Sequence, residues 1–158
     1  MDWAGWALFG LVATAALTAV MTVAQLTGLT RLDLPLLLGT VVSEEPDAAR
    51  VTGFFIHLVI GEGFAFGYAA AFALLDRATW WLGGVFGVLH VTIALTVLVP
   101  LLAGNHPRIA SNRAGPMSTA VLEPPGLLGL NYGRQTPIVT VAAHLVYGVA
   151  LGVLLTPG

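Results

Sequence analysis

Four stretches of the chain, Trp3–Leu26, Val51–Leu75, Thr79–Ala103 and Pro137–Thr156, each run for about 20 residues or more and hold a single carboxylate, Glu62, between them. The hydrocarbon core of a bilayer needs about 20 apolar residues of helix to cross it. In lipid, a helix satisfies its own backbone N–H and C=O groups where water cannot. The runs therefore predict four spanning helices. Composition points the same way, with 57% hydrophobic and 9% charged residues against roughly 25% charged in a soluble domain. The expected fold is all-α: a transmembrane four-helix bundle, up-down-up-down, forming one integral membrane domain over residues 1–158.

Orientation follows from arginine, because the chain has no lysine. Arg31, Arg50, Arg108, Arg113 and Arg134 fall in the connections Thr27–Arg50 and Gly104–Thr136, and Arg77 alone lies on the other side. The positive-inside rule places both long connections in the cytoplasm and both termini outside, in a multi-pass cell-membrane protein. Asp2 stands where a signal peptide would carry basic residues, so the first helix is expected to be retained. Absence of cysteine excludes disulfides and thiolate chemistry. A net charge of −2 gives no basis for nucleic-acid binding.

The chain repeats itself. "HLVIG" (His57–Gly61) returns as "HLVYG" (His144–Gly148), "LDLPLLLG" (Leu32–Gly39) as "LEPPGLLG" (Leu122–Gly129), and "ALTAV" (Ala16–Val20) as "ALTVL" (Ala94–Leu98). The matches keep their order, which suggests two parallel repeats, residues 3–75 and 79–156, related by an axis along the membrane normal. Each repeat reads as a helix, an acid-proline-leucine connection and a helix that opens on histidine. In the connections, Asp33 and Glu123 are placed to cap short interfacial turns. "SEEPDAAR" and "NHPRIASNRAGP" read as solvated turns. Glycines at Gly63 and Gly67, Gly83, Gly84 and Gly87, and Gly148 and Gly152 are expected to let helices pack closely.

His57 and His144 sit about 10 Å in from the cytoplasmic side at 1.5 Å per residue, on helices that a bundle would place diagonally, roughly 13 Å apart. Three readings follow. Two axial imidazoles, with Gly61 and Gly148 one turn deeper leaving room for a flat macrocycle and Arg50 and Arg134 for its propionates, would suit haem b. His57 and His144 with Asp33 and Glu123 would suit a divalent metal. Alternatively, each histidine simply bonds a neighbouring carbonyl or hydroxyl, for about 0.6 kcal/mol.

Glu62 lies near the bilayer centre, where an ionised carboxylate costs several kcal/mol unless paired or protonated. His90 on the third helix is its expected partner, as interhelical glue or as a proton relay. His106, in "NHPR", reads as a surface turn. Tyr132 and Tyr147 could donate hydrogen bonds near the histidines, and Trp3, Trp6, Trp80 and Trp81 read as an outer aromatic belt. Ser43, Ser111 and Ser118 lie in loops without a Gly-x-Ser-x-Gly context, so no nucleophile is indicated.

"LEPPGLLGLNYGRQTPIVTVAAHLVYGVALG", with "LTRLDLPLLLGT" and "NHPRIAS" before it, resembles a group of small bacterial four-helix integral membrane proteins. That resemblance implies an architecture and no activity. Two classes of function stay open. One is a binding or accessory membrane protein in contact with lipid and with a partner subunit or further copies of itself, and not an enzyme. The other is a haem or metal protein of electron transfer, or a proton or small-solute pathway through Glu62 and His90.

Overall fold

The computed structural model describes residues 3–110 and 122–155, apart from the side chains of Trp3 and Ala4. The described residues are helical, and four of the helical segments are long and apolar enough to cross a membrane. Arg113, Ser111 and Ser118 lie outside the described residues.

Helix α1 spans Trp3–Leu26. A short α2, Leu34–Gly39, follows because Asp33 caps it: the carboxylate accepts from the Leu36 N–H at 3.0 Å, and Pro35 fits the first turn, where its missing N–H costs nothing. Helix α3, Pro46–Leu74, begins five residues before the expected Val51, since Glu45 accepts from the N–H groups of Asp47 and Ala48 and Pro46 opens the helix. Half of the "SEEPDAAR" turn is thus the first turn of a helix.

The third apolar run is not one regular helix. Helix α4 (Trp80–Ile93), capped by Thr79, passes through a π-helical turn, Ala94–Leu98, into α5 (Val99–Asn105). Pro100 explains the change of pitch. A proline ring presses on the carbonyl four residues back, here that of Thr96; the turn around that carbonyl is widened, with the Val99 N–H reaching the Ala94 carbonyl five residues back. A 3-10 segment, Leu127–Tyr132, then leads to α6, Thr136–Leu154.

Helix α1 packs between α3 and α6, α6 against α4, and α2 along the first half of α3. Close approach depends on glycine. A Cβ on Gly83 would fall on the Gly148 carbonyl, and one on Gly148 on the Gly83 carbonyl, so α4 and α6 cross backbone to backbone. Gly39 and Gly53 hold α2 on α3 in the same way. Gly63 and Gly67 do not share this role: nothing stands within 4 Å of a Cβ on either, and both are exposed. Their spacing is right, but their face points away from every other helix.

Helices α3 and α4 meet differently, through rings. Phe72 stacks on Phe86 at 5.5 Å, and Tyr68 meets Phe86 edge-on at 5.7 Å. Aromatic spacers hold these backbones apart, and a cavity opens beyond them. The outward faces are apolar throughout, with Val59 73% and Leu74 89% exposed. Such a surface is stable in hydrocarbon and costly in water. The chain is a multi-pass membrane protein in contact with lipid.

Candidate ligand cavity

Every spanning helix and both connections contribute to one apolar cavity of about 370 Å³. Leu17 and Met21 come from α1, Leu37 and Leu38 from α2, and Leu95 and Leu98 from the π turn. Three histidines line it: His57 on α3, His90 on α4 and His144 on α6. Among the described residues, no carboxylate or guanidinium does.

Helix register places the imidazoles. On α1, Thr18 lies one turn after Thr14 and donates its single hydroxyl proton to the Thr14 carbonyl at 2.7 Å. Its oxygen is left to accept from Nδ1–H of His57 at 2.8 Å. On α6, His144 donates Nδ1–H to the Thr140 carbonyl one turn back, also at 2.8 Å. His90 lies 3.8 Å from Phe64, nearly parallel to it, and meets His144 edge-on at 4.6 Å. Its Nδ1 is buried without a partner. Two rings are therefore fixed by hydrogen bonds and the third by stacking.

His57 and His144 do line the same space, while the residues expected to act with them are engaged elsewhere. Asp33 caps α2 and pairs with Arg50 at 2.8 Å, and Glu123 pairs with Arg31 at 3.0 Å. Among the described residues no three His, Asp or Glu side chains are grouped to hold a metal ion. The four-ligand set does not assemble, because each acid is held by a nearby arginine. Neither glycine leaves a slot for a macrocycle. Gly61 presses against Thr14 and its carbonyl accepts from the Tyr147 hydroxyl at 2.7 Å, while Gly148 is buried against Gly83. Arg50 also bonds Asp47, and Arg134 is exposed beyond the cavity. These residues do not fit a haem.

The Glu62–His90 pair does not form. Glu62 faces Gly10 on α1, and its Oε1 is buried with no partner. Phe64, two residues on, takes the face of His90 instead. Trp6, read as a belt residue, is half-buried and donates to the Glu62 carbonyl at 3.3 Å, whereas Trp80 and Trp81 are exposed as the belt requires.

His106 is a further correction. Far from meeting water, it is 6% exposed, donating Nε2–H to the Leu37 carbonyl at 3.0 Å and accepting the Arg108 N–H on Nδ1, also at 3.0 Å. Arg108 adds bonds to the Thr40 carbonyl and to Glu44. The α2 connection is thereby tied to the end of α5. Desolvation, and secondarily the charge of Arg108, holds the imidazolium form of His106 below its ordinary value of 6.5, although the bond to Leu37 works the other way. The unfolded chain binds that proton more readily, so this contribution to stability is complete above about pH 6.5 and declines as pH falls below it. The protection factor of the Arg108 amide, with the intrinsic pH dependence of exchange divided out, should fall between pH 7.5 and pH 5 more than protection elsewhere in the connection; uniform behaviour would contradict the assignment.

Tyr147 is fully buried, and its bond to Gly61 links α6 to α3. Tyr147→Phe should lower unfolding stability in bicelles by about 1 kcal/mol, a difference that SDS titration can resolve.

Sequence reasoning missed His90 as a cavity residue and Thr18 as the partner of His57. A signal for Thr18 existed, since it sits inside the recurring "ALTAV". No family model, curated protein or solved structure matches the chain, so the cavity is read from its own geometry.

Proposed function

We propose that the chain is a membrane protein of the binding class that takes a small lipid-soluble molecule into the three-histidine cavity from the side. In this reading the four spans run up-down-up-down, the long connections face the cytoplasm, and residues 3–75 and 79–156 are related repeats. Matched residues of the repeats, Leu17 with Leu95 and His57 with His144, converge on one cavity, which favours common origin.

The observation that carries the proposal is the cavity's combination of size, lining and rim. At about 370 Å³ it falls within the range of small-molecule sites and exceeds the roughly 150 Å³ that accepts a benzene ring. Ile60 and Leu98, on the facing elements α3 and the π turn, both line it and are 40% and 38% exposed. Both residues thus reach from the cavity to the hydrocarbon-facing surface, where an apolar ligand is already concentrated.

Photolabelling with 4-octylbenzophenone in nanodiscs tests this. Label should concentrate on peptides bearing Leu98 and Met21 and should fall several-fold in Ala94→Phe, which places a ring in the cavity. Label spread evenly over lipid-facing residues, unchanged in that variant, would refute the reading.

A further inference from the structure

Resting on the cavity reading, we infer that the site selects ligands that donate a hydrogen bond: a hydroxyl carried on an apolar body, as in a phenol, a quinol or a long-chain alcohol, in preference to the corresponding ether or carbonyl compound.

The argument starts from the protons. A neutral imidazole carries one N–H. His144 spends it on the Thr140 carbonyl, an oxygen that can only accept. His57 spends it on Thr18, whose own proton is committed to Thr14. Both Nδ1 atoms are therefore donors, which leaves each Nε2 with a lone pair. An imidazolium here would be an uncompensated charge, because no acidic side chain among the described residues lines the cavity. The rest of the described polar lining is poor in donors: the Thr140 hydroxyl is turned back to the Thr136 carbonyl, the Thr136 hydroxyl is bonded to that of Thr30 at 2.6 Å, and His90 brings a single N–H against the two Nε2 acceptors.

Two acceptors in an apolar wall discriminate by polarity. A ligand hydroxyl satisfies such a lone pair, whereas a ligand ether or carbonyl oxygen brings a second lone pair against it and loses its own solvation. With acceptors outnumbering donors in the wall, a ligand that supplies a proton is favoured. Thr14 and Thr18 are positioning residues here, since they set the tautomer of His57 and do not line the cavity.

The test uses the full chain in nanodiscs and two matched pairs of probes: 4-octylphenol with 4-octylanisole, and 1-decanol with 1-methoxydecane. In at least one pair the hydroxyl compound should bind roughly tenfold more tightly, and the pair showing the preference names the source of the hydroxyl. Nitrogen-15 spectra should report unprotonated Nε2 at His57 and His144, shifting when the hydroxyl probe is added. Thr18→Val should narrow the preference without abolishing binding of the ethers. If the members of both pairs bind equally, the cavity stands and donor selection is wrong. If no probe binds, the cavity reading itself fails.

Discussion

Gly148→Val is expected to unfold the α4–α6 crossing. Its Cβ would occupy the position of the Gly83 carbonyl oxygen, with the Gly87 Cα only 3.1 Å away, and both obstacles are backbone. A flexible side chain could yield, but two helices can only move apart. In lipid no hydrophobic force draws them back, since association there depends on the van der Waals contact that separation removes. The loss should reach about 3 kcal/mol, the upper range for overpacking. Resistance to SDS unfolding and yield of monodisperse protein both measure it. Gly67→Val is the control: nothing lies within 4 Å of its Cβ, and the glycine is exposed. Equal behaviour of the two variants would show that α4 and α6 do not cross here.

The second large effect is expected at Gly53. A Cβ there falls on the Pro35 carbonyl, and one on its neighbour Gly39 falls on the Ala49 carbonyl, so the two glycines seat α2 on α3. Gly53→Val should lift α2, and with it Leu37 and Leu38 from the cavity wall and the Leu37 carbonyl from His106. Probe binding should drop more than tenfold while the four spans persist, because α2 contributes nothing to the crossings of α1, α3, α4 and α6. Retained affinity, or collapse of the helical signal by circular dichroism, would each contradict that division of labour.

Much of the arrangement was legible in the sequence for plain reasons. Apolar runs of 20 residues or more leave a chain few options in a bilayer, and the runs are interrupted by capping residues and prolines where helices start. The pairing of His57 with His144 was legible too, because the pentapeptide is written twice. Other features depended on side-chain direction. Which glycine spacing faces a neighbour was invisible: Gly83 and Gly148 share a crossing, and Gly63 and Gly67 face outward with the same spacing. The π turn at Pro100 was equally hidden. Thr96, which holds the place in "ALTVL" that Thr18 holds in "ALTAV", lies within it, is exposed, and bonds its own helix at Thr92, so only Thr18 of the two meets a histidine.

The amino-acid sequence by itself determined that the chain lies in a membrane as helices, because burial of backbone in hydrocarbon is a local requirement each segment meets alone. It also wrote nearly the same pentapeptide around two histidines, His57 and His144. Only the tertiary structure decided that a third histidine joins them, that Asp33 pairs with Arg50 and Glu123 with Arg31, and that the space between the rings is an apolar cavity. Those outcomes depend on which helix faces meet, and a contact between residues a hundred positions apart is a property of packing that no single segment encodes.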